Sequence, residues 1–215
     1  MTKASKLDPG TKPDGRLQRS ERSRRLIVEA SQQLIAEGIL VPTAQQVADR
    51  AGVGIRTLFR HFADMESLYA TADNYLRASY EGLFLGGDRA GTLAERVLHA
   101  IEARATAYEK LSPLILSTRA QMWRSTVLQK NYARNQRGLR NDLADWLPEL
   151  LELPPHKREA VEALTSFETW DRLRSMQGLT RKTSIEVIYE MLCLLFAVDQ
   201  AAPGDSATRE GDVRT

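Results

Sequence analysis

The sequence has a single cysteine, Cys193, among its 215 residues. One thiol cannot form a disulfide within the chain, and it excludes a metal site built from several cysteines. Because Cys193 lies in an apolar run, we interpret it as a buried, unreactive thiol. The sequence also lacks runs in which Val, Ile or Thr alternate with polar residues, the pattern of half-buried strands. Glycine and proline are sparse within long stretches, so the sequence predicts an all-α fold.

Long hydrophobic runs are missing too. The apolar run at residues 191–198 is far shorter than the roughly 20 residues that a membrane-spanning helix needs. The first residues lack the apolar centre of a signal peptide. We therefore expect a cytoplasmic protein with no membrane partner.

The residue patterns of common catalytic sites are absent as well. The sequence has no glycine-rich phosphate loop, no GxSxG motif and no HExxH motif. His61, His99 and His156 are far apart in the sequence and lack the spacing of metal ligands. We therefore predict no catalytic residues, no metal site and no cofactor, and we expect that the protein is not an enzyme.

Charge is distributed unevenly along the chain. Residues 1–63 carry eleven Lys and Arg against six Asp and Glu, a net charge of +5, while the remainder carries −3. A positive N-terminal part is what binding to nucleic acid phosphates requires.

The most informative segment, TAQQVADRAGVGIRTLFRHF, lies within this positive part, at residues 43–62. Thr43 and Gln46 have the spacing of a capping box, which starts a helix. Gly52 stands where a left-handed residue ends that helix. The pattern predicts two short helices joined by a tight turn.

The second short helix has two distinct faces. Leu58 and Phe62 are four residues apart and are expected to face inward together, whereas Arg56 and Arg60 share another face. A helix with an apolar side and a donor-rich side is typical of the recognition helix in a helix-turn-helix. An ordinary helical hairpin with solvated arginines is the alternative.

The segment and its flanking residues resemble the tetracycline-repressor (TetR) family of bacterial regulators. The residues that carry the resemblance are Ile27, Ala30, Leu34, Gly38, Thr43, Val47, Ala48, Ala51, Gly52, Val53, Thr57, Leu58, Phe59, His61, Phe62, Glu66 and Leu68. Two positions depart from the family pattern. Gly54 stands where serine is usual, and Met65 stands where lysine is usual, so the departures affect a helix cap and a phosphate contact.

The resemblance implies a homodimer that binds double-stranded DNA at a pseudo-palindromic operator and is released by a ligand. Arg56 and Arg60 are the candidates for base or phosphate contact. Thr43, Thr57, Phe59 and His61 are expected to position the protein on the DNA backbone.

The sequence predicts four segments. They are a disordered basic tail at 1–20, a helix-turn-helix DNA-binding domain at 21–63, an effector-binding and dimerisation domain at 64–201, and a disordered tail at 202–215. Helices are expected at about 21–37, 64–85, 92–111, 125–147, 157–177 and 183–201, besides the two of the helix-turn-helix.

The last predicted helix is apolar on nearly every side, and such a helix must be covered on more than one side. A second copy of the chain is the expected cover, and the resemblance implies the same. The predicted dimer interface comprises Ile185, Ile188, Leu192, Leu195 and Phe196. A central helix of a monomeric bundle is the alternative.

Aromatic and apolar side chains after residue 63 suggest a ligand pocket between helices. The candidates are Tyr108, Arg119, Met122, Trp123, Phe167 and Trp170. They predict a small, mainly hydrophobic effector, with Arg119 as an anchor for an acidic group. Their helical spacing fits ordinary core packing equally well.

Taken together, the sequence predicts a transcriptional regulator, with repression as the mode that the resemblance implies. Two alternatives stay open. One is a helical dimer that has lost DNA binding and acts through protein partners, and the other is an all-α enzyme.

Overall fold

The computed structural model describes residues 15–84 and 86–197. The regular structure within them is helical and includes no strand, which confirms the predicted all-α fold. The helices are α1 (Gly15–Ala36), α2 (Ala44–Arg50), α3 (Ile55–His61), α4 (Met65–Glu81), α5 (Leu93–Gln121), α6 (Thr126–Trp146), α7 (Pro155–Leu164), α8 (Phe167–Asp171) and α9 (Arg181–Phe196). Short 3-10 turns follow α5 at Met122–Arg124 and α6 at Pro148–Glu152, and a π-helical turn follows α8 at Arg172–Met176.

The chain divides into two compact units. Within the described residues, the first unit comprises 15–78 and 111–134, and the second comprises 79–84, 86–110 and 135–197. The helices α4, α5 and α6 each contribute residues to both units.

The first unit has a hydrophobic core built from α1 to α4. The fully buried side chains Ile27, Val47, Leu58 and Leu68 come from four successive helices and meet in this core. These side chains recur at helical spacing on one side of each helix, so one compact core holds the two short helices in place.

The helix α1 begins at Gly15, six residues before the predicted start at Glu21. The Arg19 side chain donates a hydrogen bond to the Gly15 carbonyl, and Ser23 donates to the Arg19 carbonyl. The prediction rested on the apolar residues of α1 alone. Polar residues that favour a helix extend α1 further towards the N-terminus. Of the disordered tail predicted at 1–20, residues 15–20 are instead the start of α1. Residues 1–14 and the tail predicted at 202–215 lie outside the described residues.

Two further helix boundaries differ from the prediction. The helix predicted to end at about residue 111 continues through Pro113 to Gln121 as α5. Proline removes one helical hydrogen bond but does not always end a helix when the flanking turns stay helical. Conversely, the helix predicted at 157–177 is interrupted after Leu164. There the Thr165 hydroxyl donates to the Val161 carbonyl, and the Ser166 side chain accepts from the Thr169 amide to start α8.

The second unit contains a close backbone approach that explains a glycine. Gly87 has φ +119°, and a Cβ atom at this residue would lie 2.6 Å from the ring of buried Trp146. The Arg89 guanidinium lies 4.9 Å from the centre of the same ring, a cation–π contact. Gly87 is therefore required both by its backbone conformation and by the close approach of the Trp146 ring.

The helix α9 ends at Phe196, and the next residue, Ala197, has a left-handed backbone with φ +53°.

Candidate functional site

The turn between α2 and α3 has the geometry that the sequence predicts. The Gln46 amide donates to the Thr43 hydroxyl at 3.2 Å, and the Thr43 amide donates to the Gln46 side chain at 2.9 Å, which completes a capping box. Gly52 is left-handed, with φ +66°. The Val53 amide then donates to the Ala48 carbonyl at 3.0 Å. These bonds satisfy backbone groups at both ends of α2 and set the direction of α3.

The helix α3 is held by two buried side chains. Leu58 and Phe62 both lie in the core of the first unit, as predicted. The Arg24 guanidinium from α1 lies 5.0 Å from the centre of the Phe62 ring and donates to the Thr71 hydroxyl of α4 at 2.9 Å. A helix of seven residues is too short to be stable alone. Its position therefore depends on these contacts with α1 and α4.

The opposite side of α3 is exposed and basic. Arg56, Phe59 and Arg60 are exposed, and Phe59 has 47% of its surface accessible. Their spacing of three and four residues places them on one face of the helix. We call this set the α3 face. The two guanidinium groups can donate hydrogen bonds to phosphates or to guanine edges, and the Phe59 ring can pack on a thymine methyl group.

The other predicted DNA-contacting residues lie around this face. Thr43 is exposed at the start of α2, whereas Thr57 and His61 are partly buried. The His61 Nε2 atom is buried and has no hydrogen-bond partner among the described residues. Burial, aided by the charges of Arg60 and Arg24, lowers the pKa of His61 below its ordinary value of 6.5. His61 is therefore neutral at neutral pH.

Gly54 and Met65, the two departures from the family pattern, have definite structural roles. Gly54 is the N-cap of α3 and provides no side-chain hydrogen bond. Met65 is the first residue of α4, and its side chain packs against the core of the first unit. At this position, the structure has an apolar contact where the family pattern has a cation.

The first unit contains a polar network that the sequence does not predict. The buried Gln121 side chain donates to the Leu40 carbonyl at 3.1 Å and accepts from the Tyr69 hydroxyl at 2.6 Å. The Ser117 hydroxyl donates to the same Leu40 carbonyl at 2.6 Å. Burial raises the pKa of Tyr69, so its hydroxyl remains a donor. The network therefore joins the loop before α2 to α4 and to the end of α5.

A small cavity lies in the second unit, with a volume of about 10 Å³. This is room for about one water molecule. Its lining residues are Ile101, Arg104, Ala105, Tyr108, Thr165, Ser166, Trp170 and Ile188. The Tyr108 and Phe167 rings pack edge to face, with centroids 5.6 Å apart, and the Tyr108 hydroxyl donates to the Thr165 carbonyl at 2.9 Å.

Residues 26–72 match the family model of bacterial regulatory proteins of the tetR family. The match covers less than a quarter of the chain and assigns a tetR-type regulatory domain to these residues. The matched segment runs from α1 into α4 and includes the capping box, the Gly52 turn and the α3 face. Comparison of the sequence with curated proteins finds no match.

Solved structures of regulators share this fold. A tetR-family transcriptional regulator from Streptomyces coelicolor has a TM-score of 0.61 at 18% identity, over 81% of this chain and 83% of that one. A transcriptional regulator from Rhodococcus sp. Rha1 has a TM-score of 0.58 at 17% identity, over 81% and 96%. A TetR transcriptional regulator from Rhodococcus sp. RHA1 has a TM-score of 0.51 at 19% identity, over 84% and 99%. At these identities, the likeness concerns the fold.

The residues predicted to line a ligand pocket fall into two groups. Tyr108, Phe167 and Trp170 lie close together and buried in the second unit. Arg119, Met122 and Trp123 belong to the first unit. Arg119 is exposed, and Trp123 has 79% of its surface accessible. Of the six, only Tyr108 and Trp170 line the cavity, and Phe167 packs against the Tyr108 ring beside it.

The cavity also has a lining arginine that the sequence analysis did not select. Arg104 is buried, with only 5% of its surface accessible. The sequence contains a signal for this residue, because Arg104 shares the apolar side of α5 with the buried residues Ile101, Ala105 and Tyr108. A charged residue on such a face needs buried partners, and for this reason it marks a candidate site.

The predicted interface residues of α9 also divide into groups. Ile185, Ile188 and Leu192 are buried within their own unit, and Leu195 and Phe196 are partly buried. The exposed apolar residues of α9 are Val187, Met191 and Leu194. Their spacing of four and three residues forms one line along the helix, which we call the α9 stripe.

Among the residues that the structure describes, no helix is long and apolar enough to cross a membrane. Within the same residues, no three His, Cys, Asp or Glu side chains are grouped as metal ligands would be. The candidate functional features of the described chain are therefore the α3 face, the cavity of the second unit and the α9 stripe.

Proposed function

We propose that this chain is a TetR-family repressor that binds a pseudo-palindromic DNA operator as a homodimer and leaves it when a small molecule binds. The observation that carries the proposal is the α3 face, in which exposed guanidinium groups project from a helix whose other side is buried. We further propose that residues 21–63 form the DNA-binding domain and residues 64–201 the effector and dimerisation domain.

The chemistry of the α3 face supports DNA binding in the major groove. Arg56 and Arg60 are exposed and can donate two hydrogen bonds each to O6 and N7 of guanine, or to phosphates. Phe59, partly accessible on the same face, can contact a thymine methyl group. We propose that Thr43, Thr57 and His61 position the protein on the DNA backbone and do not read bases. The Thr43 hydroxyl donates to the Gln46 side chain at 3.0 Å in the absence of DNA, and the Nε2 atom of His61 is buried.

The α9 stripe supports dimerisation. Val187, Met191 and Leu194 leave apolar surface in water, whereas most of the interface residues predicted from sequence are already covered within the chain. Exposed apolar residues in a line favour association with a matching surface. Because a two-fold dimer presents the same helix twice, one stripe can pack against its own copy. We therefore assign the contact to the α9 stripe, with Leu195 and Phe196 at its edge.

The cavity supports a ligand-responsive mechanism. Its walls combine the apolar side chains of Tyr108, Trp170 and Ile188 with the polar Thr165 and Ser166. Small-molecule sites are usually apolar with a few polar groups. A mainly hydrophobic effector fits this composition. It can release DNA only if it favours the conformation that binds DNA less tightly.

The decisive experiment is selection of bound sequences from random double-stranded DNA at low and moderate salt. We expect enrichment of a two-fold-symmetric sequence, with affinity falling steeply as salt increases because phosphate contacts release counterions. The Arg56→Ala/Arg60→Ala variant removes both guanidiniums of the α3 face. Arg140→Ala removes an exposed arginine of the second unit and serves as the matched control.

The outcome separates DNA binding from the alternative of a protein-binding dimer. Loss of selection in the double variant, with normal selection in Arg140→Ala, supports the α3 face. Failure of the wild-type protein to bind any DNA at low salt would refute the proposal. The uncapped Gly54 is the one structural observation that favours the alternative, since it leaves α3 without a side-chain cap.

A further inference from the structure

The cavity of the second unit contains a buried charge with incomplete hydrogen bonding. Arg104 donates from Nη1 to the Thr165 carbonyl at 3.3 Å and from Nη2 to the Leu139 carbonyl at 2.5 Å. Its Nε atom is buried and has no hydrogen-bond partner within the described residues. A buried donor that is left without a partner is unfavourable, and more so when the group is charged.

The nearest carboxylate does not complete the site. An Asp142 oxygen lies 3.7 Å from Arg104 Nη2, within ion-pair range but beyond hydrogen-bond distance. Asp142 instead accepts a hydrogen bond from Arg89 at 2.9 Å. Burial raises the pKa of the Asp142 carboxyl, against the opposing effect of Arg104 and Arg89. Arg104 therefore retains, beside the cavity, a buried Nε–H donor that no described residue accepts.

We propose that Arg104 anchors the carboxylate of a small acidic effector whose apolar part packs against Tyr108, Trp170 and Ile188. A guanidinium presents several N–H donors in a fixed plane, which suits a carboxylate better than a neutral group. The inference rests on the proposed ligand-responsive function and specifies the chemical class of the ligand. Arg104 thus replaces Arg119 as the residue that we expect to bind the acidic group of the effector.

The ligand must enlarge the cavity, because about 10 Å³ holds only one water molecule. The wall at Thr165 and Ser166 lies where α7 ends and α8 begins. The short α8 then runs into the π-helical turn Arg172–Met176. π-Helical turns are locally irregular and often occur at functional sites. Displacement of α8, rather than of the continuous α5, is therefore the expected route for opening.

Binding is tested on the full chain without DNA, using three acids and their neutral amides. The probes are benzoate, phenylacetate and hexanoate, each compared with its amide by calorimetry. At least one acid is expected to bind about tenfold more tightly than its amide, which is the effect of one hydrogen bond to a charged group. Side-chain ¹⁵N NMR should show the Arg104 Nε–H signal shifting with the acid and not with the amide.

Variants then test the residue itself. Arg104→Lys keeps the positive charge but removes the Nε–H group, and it should lower affinity for the acid by about tenfold. Arg140→Lys makes the same change at an exposed arginine of the second unit and should leave binding unaltered. If Arg104→Lys fails to fold, the NMR signal in the wild-type protein decides.

The proposal is overturned if no acid binds, if acid and amide bind equally, or if Arg104→Lys retains full affinity. Operator release is measured separately. An acid that binds through Arg104 without releasing DNA would support the site and refute ligand release. If only the amides release operator DNA, the acidic effector is refuted, while the proposed ligand-released repressor still stands.

Discussion

The contrast between Leu194 and Leu192 gives the sharpest test of assembly. Both lie on α9, but Leu194 has 68% of its surface accessible while Leu192 is fully buried. Leu194→Glu should separate the subunits while each remains folded. Leu192→Ala should instead weaken the fold of each subunit, because it leaves a cavity inside the second unit.

The expected size follows from the accessible surface. Full burial of a leucine side chain contributes about 1.5–3 kcal/mol. Leu194 can still bury about two thirds of its surface and occurs twice in a two-fold dimer, so its contacts contribute roughly 2–4 kcal/mol per dimer. This corresponds to roughly 30- to 1,000-fold in the dissociation constant. Leu192→Ala should lower the free energy of unfolding by about 2–5 kcal/mol.

Sedimentation equilibrium measures the dissociation constant, and urea denaturation of dilute protein measures the stability of the subunit. Leu194→Glu should shift the protein to monomer with nearly normal far-ultraviolet circular dichroism, and it should weaken operator binding in parallel. A Leu194→Glu protein that dimerises as tightly as the wild type would refute the assignment of the α9 stripe. In that case the interface lies on another surface.

Three further substitutions test the first unit. If Arg56 reads a base, Arg56→Ala should weaken operator binding by about 1–3 kcal/mol and relax the sequence preference at one position per half-site. Fluorescence anisotropy measures this affinity, and equal weakening on all sequences would make Arg56 a phosphate contact. Met65→Lys should steepen the salt dependence of DNA binding, while the helix dipole opposes the new cation by roughly 0.3–1 kcal/mol; an unchanged salt slope would place residue 65 away from the phosphates. Since the pKa of His61 is lower in the folded protein than its ordinary 6.5, the unfolded chain binds the proton more tightly, and stability should fall as pH drops through 6.5. His61→Gln should reduce that loss in urea denaturation at pH 7.5 and 5.5, and an unaltered pH dependence would assign the effect to other groups.

Local patterns predicted the helix-turn-helix well because its determinants are close in sequence. The capping box needs Thr43 and Gln46, three residues apart, and the turn needs a left-handed residue at Gly52. Leu58 and Phe62 are buried at the spacing expected for one side of a helix. Each feature is decided by backbone geometry within a few residues, so little tertiary information is required.

Long-range polar contacts could not be predicted in the same way. Gln121 is a polar residue near the end of a long helix, and only the fold brings it to Leu40, 81 residues earlier. Arg104 likewise depends on Thr165 and Leu139, which come from different segments. Periodicity identifies the buried side of a helix but not which polar groups will meet there.

The same limit explains the outcome at α9. The sequence predicted that Ile185, Ile188 and Leu192 lie in a dimer interface, but composition alone does not say whether the chain itself or a second copy covers an apolar helix. The structure places these three inside the second unit. The apolar helix α9 therefore has two different surfaces. One is buried inside the second unit, and only the other, the α9 stripe, is available to a partner.

Gly54 allows a direct test of whether the departure from the family pattern weakens α3. Its backbone has φ −69° and ψ 147°, which serine adopts readily, and no atom lies within 4 Å of an added Cβ. Ser166 already caps α8 in this chain by accepting from the amide three residues later. Gly54→Ser should provide the same bond to the Thr57 amide and raise the free energy of unfolding by about 0.5–1 kcal/mol.

Gly52→Ser is the matched control, because it makes the same chemical change two residues earlier. Gly52 has φ +66°, where an added side chain is strained by roughly 1–2 kcal/mol. Urea denaturation should therefore show opposite signs for the two variants. If Gly54→Ser destabilises the protein as Gly52→Ser does, the end of α3 does not accept a serine cap. If Gly54→Ser both stabilises the protein and tightens operator binding, the missing cap on α3 limits the DNA affinity of the wild-type chain.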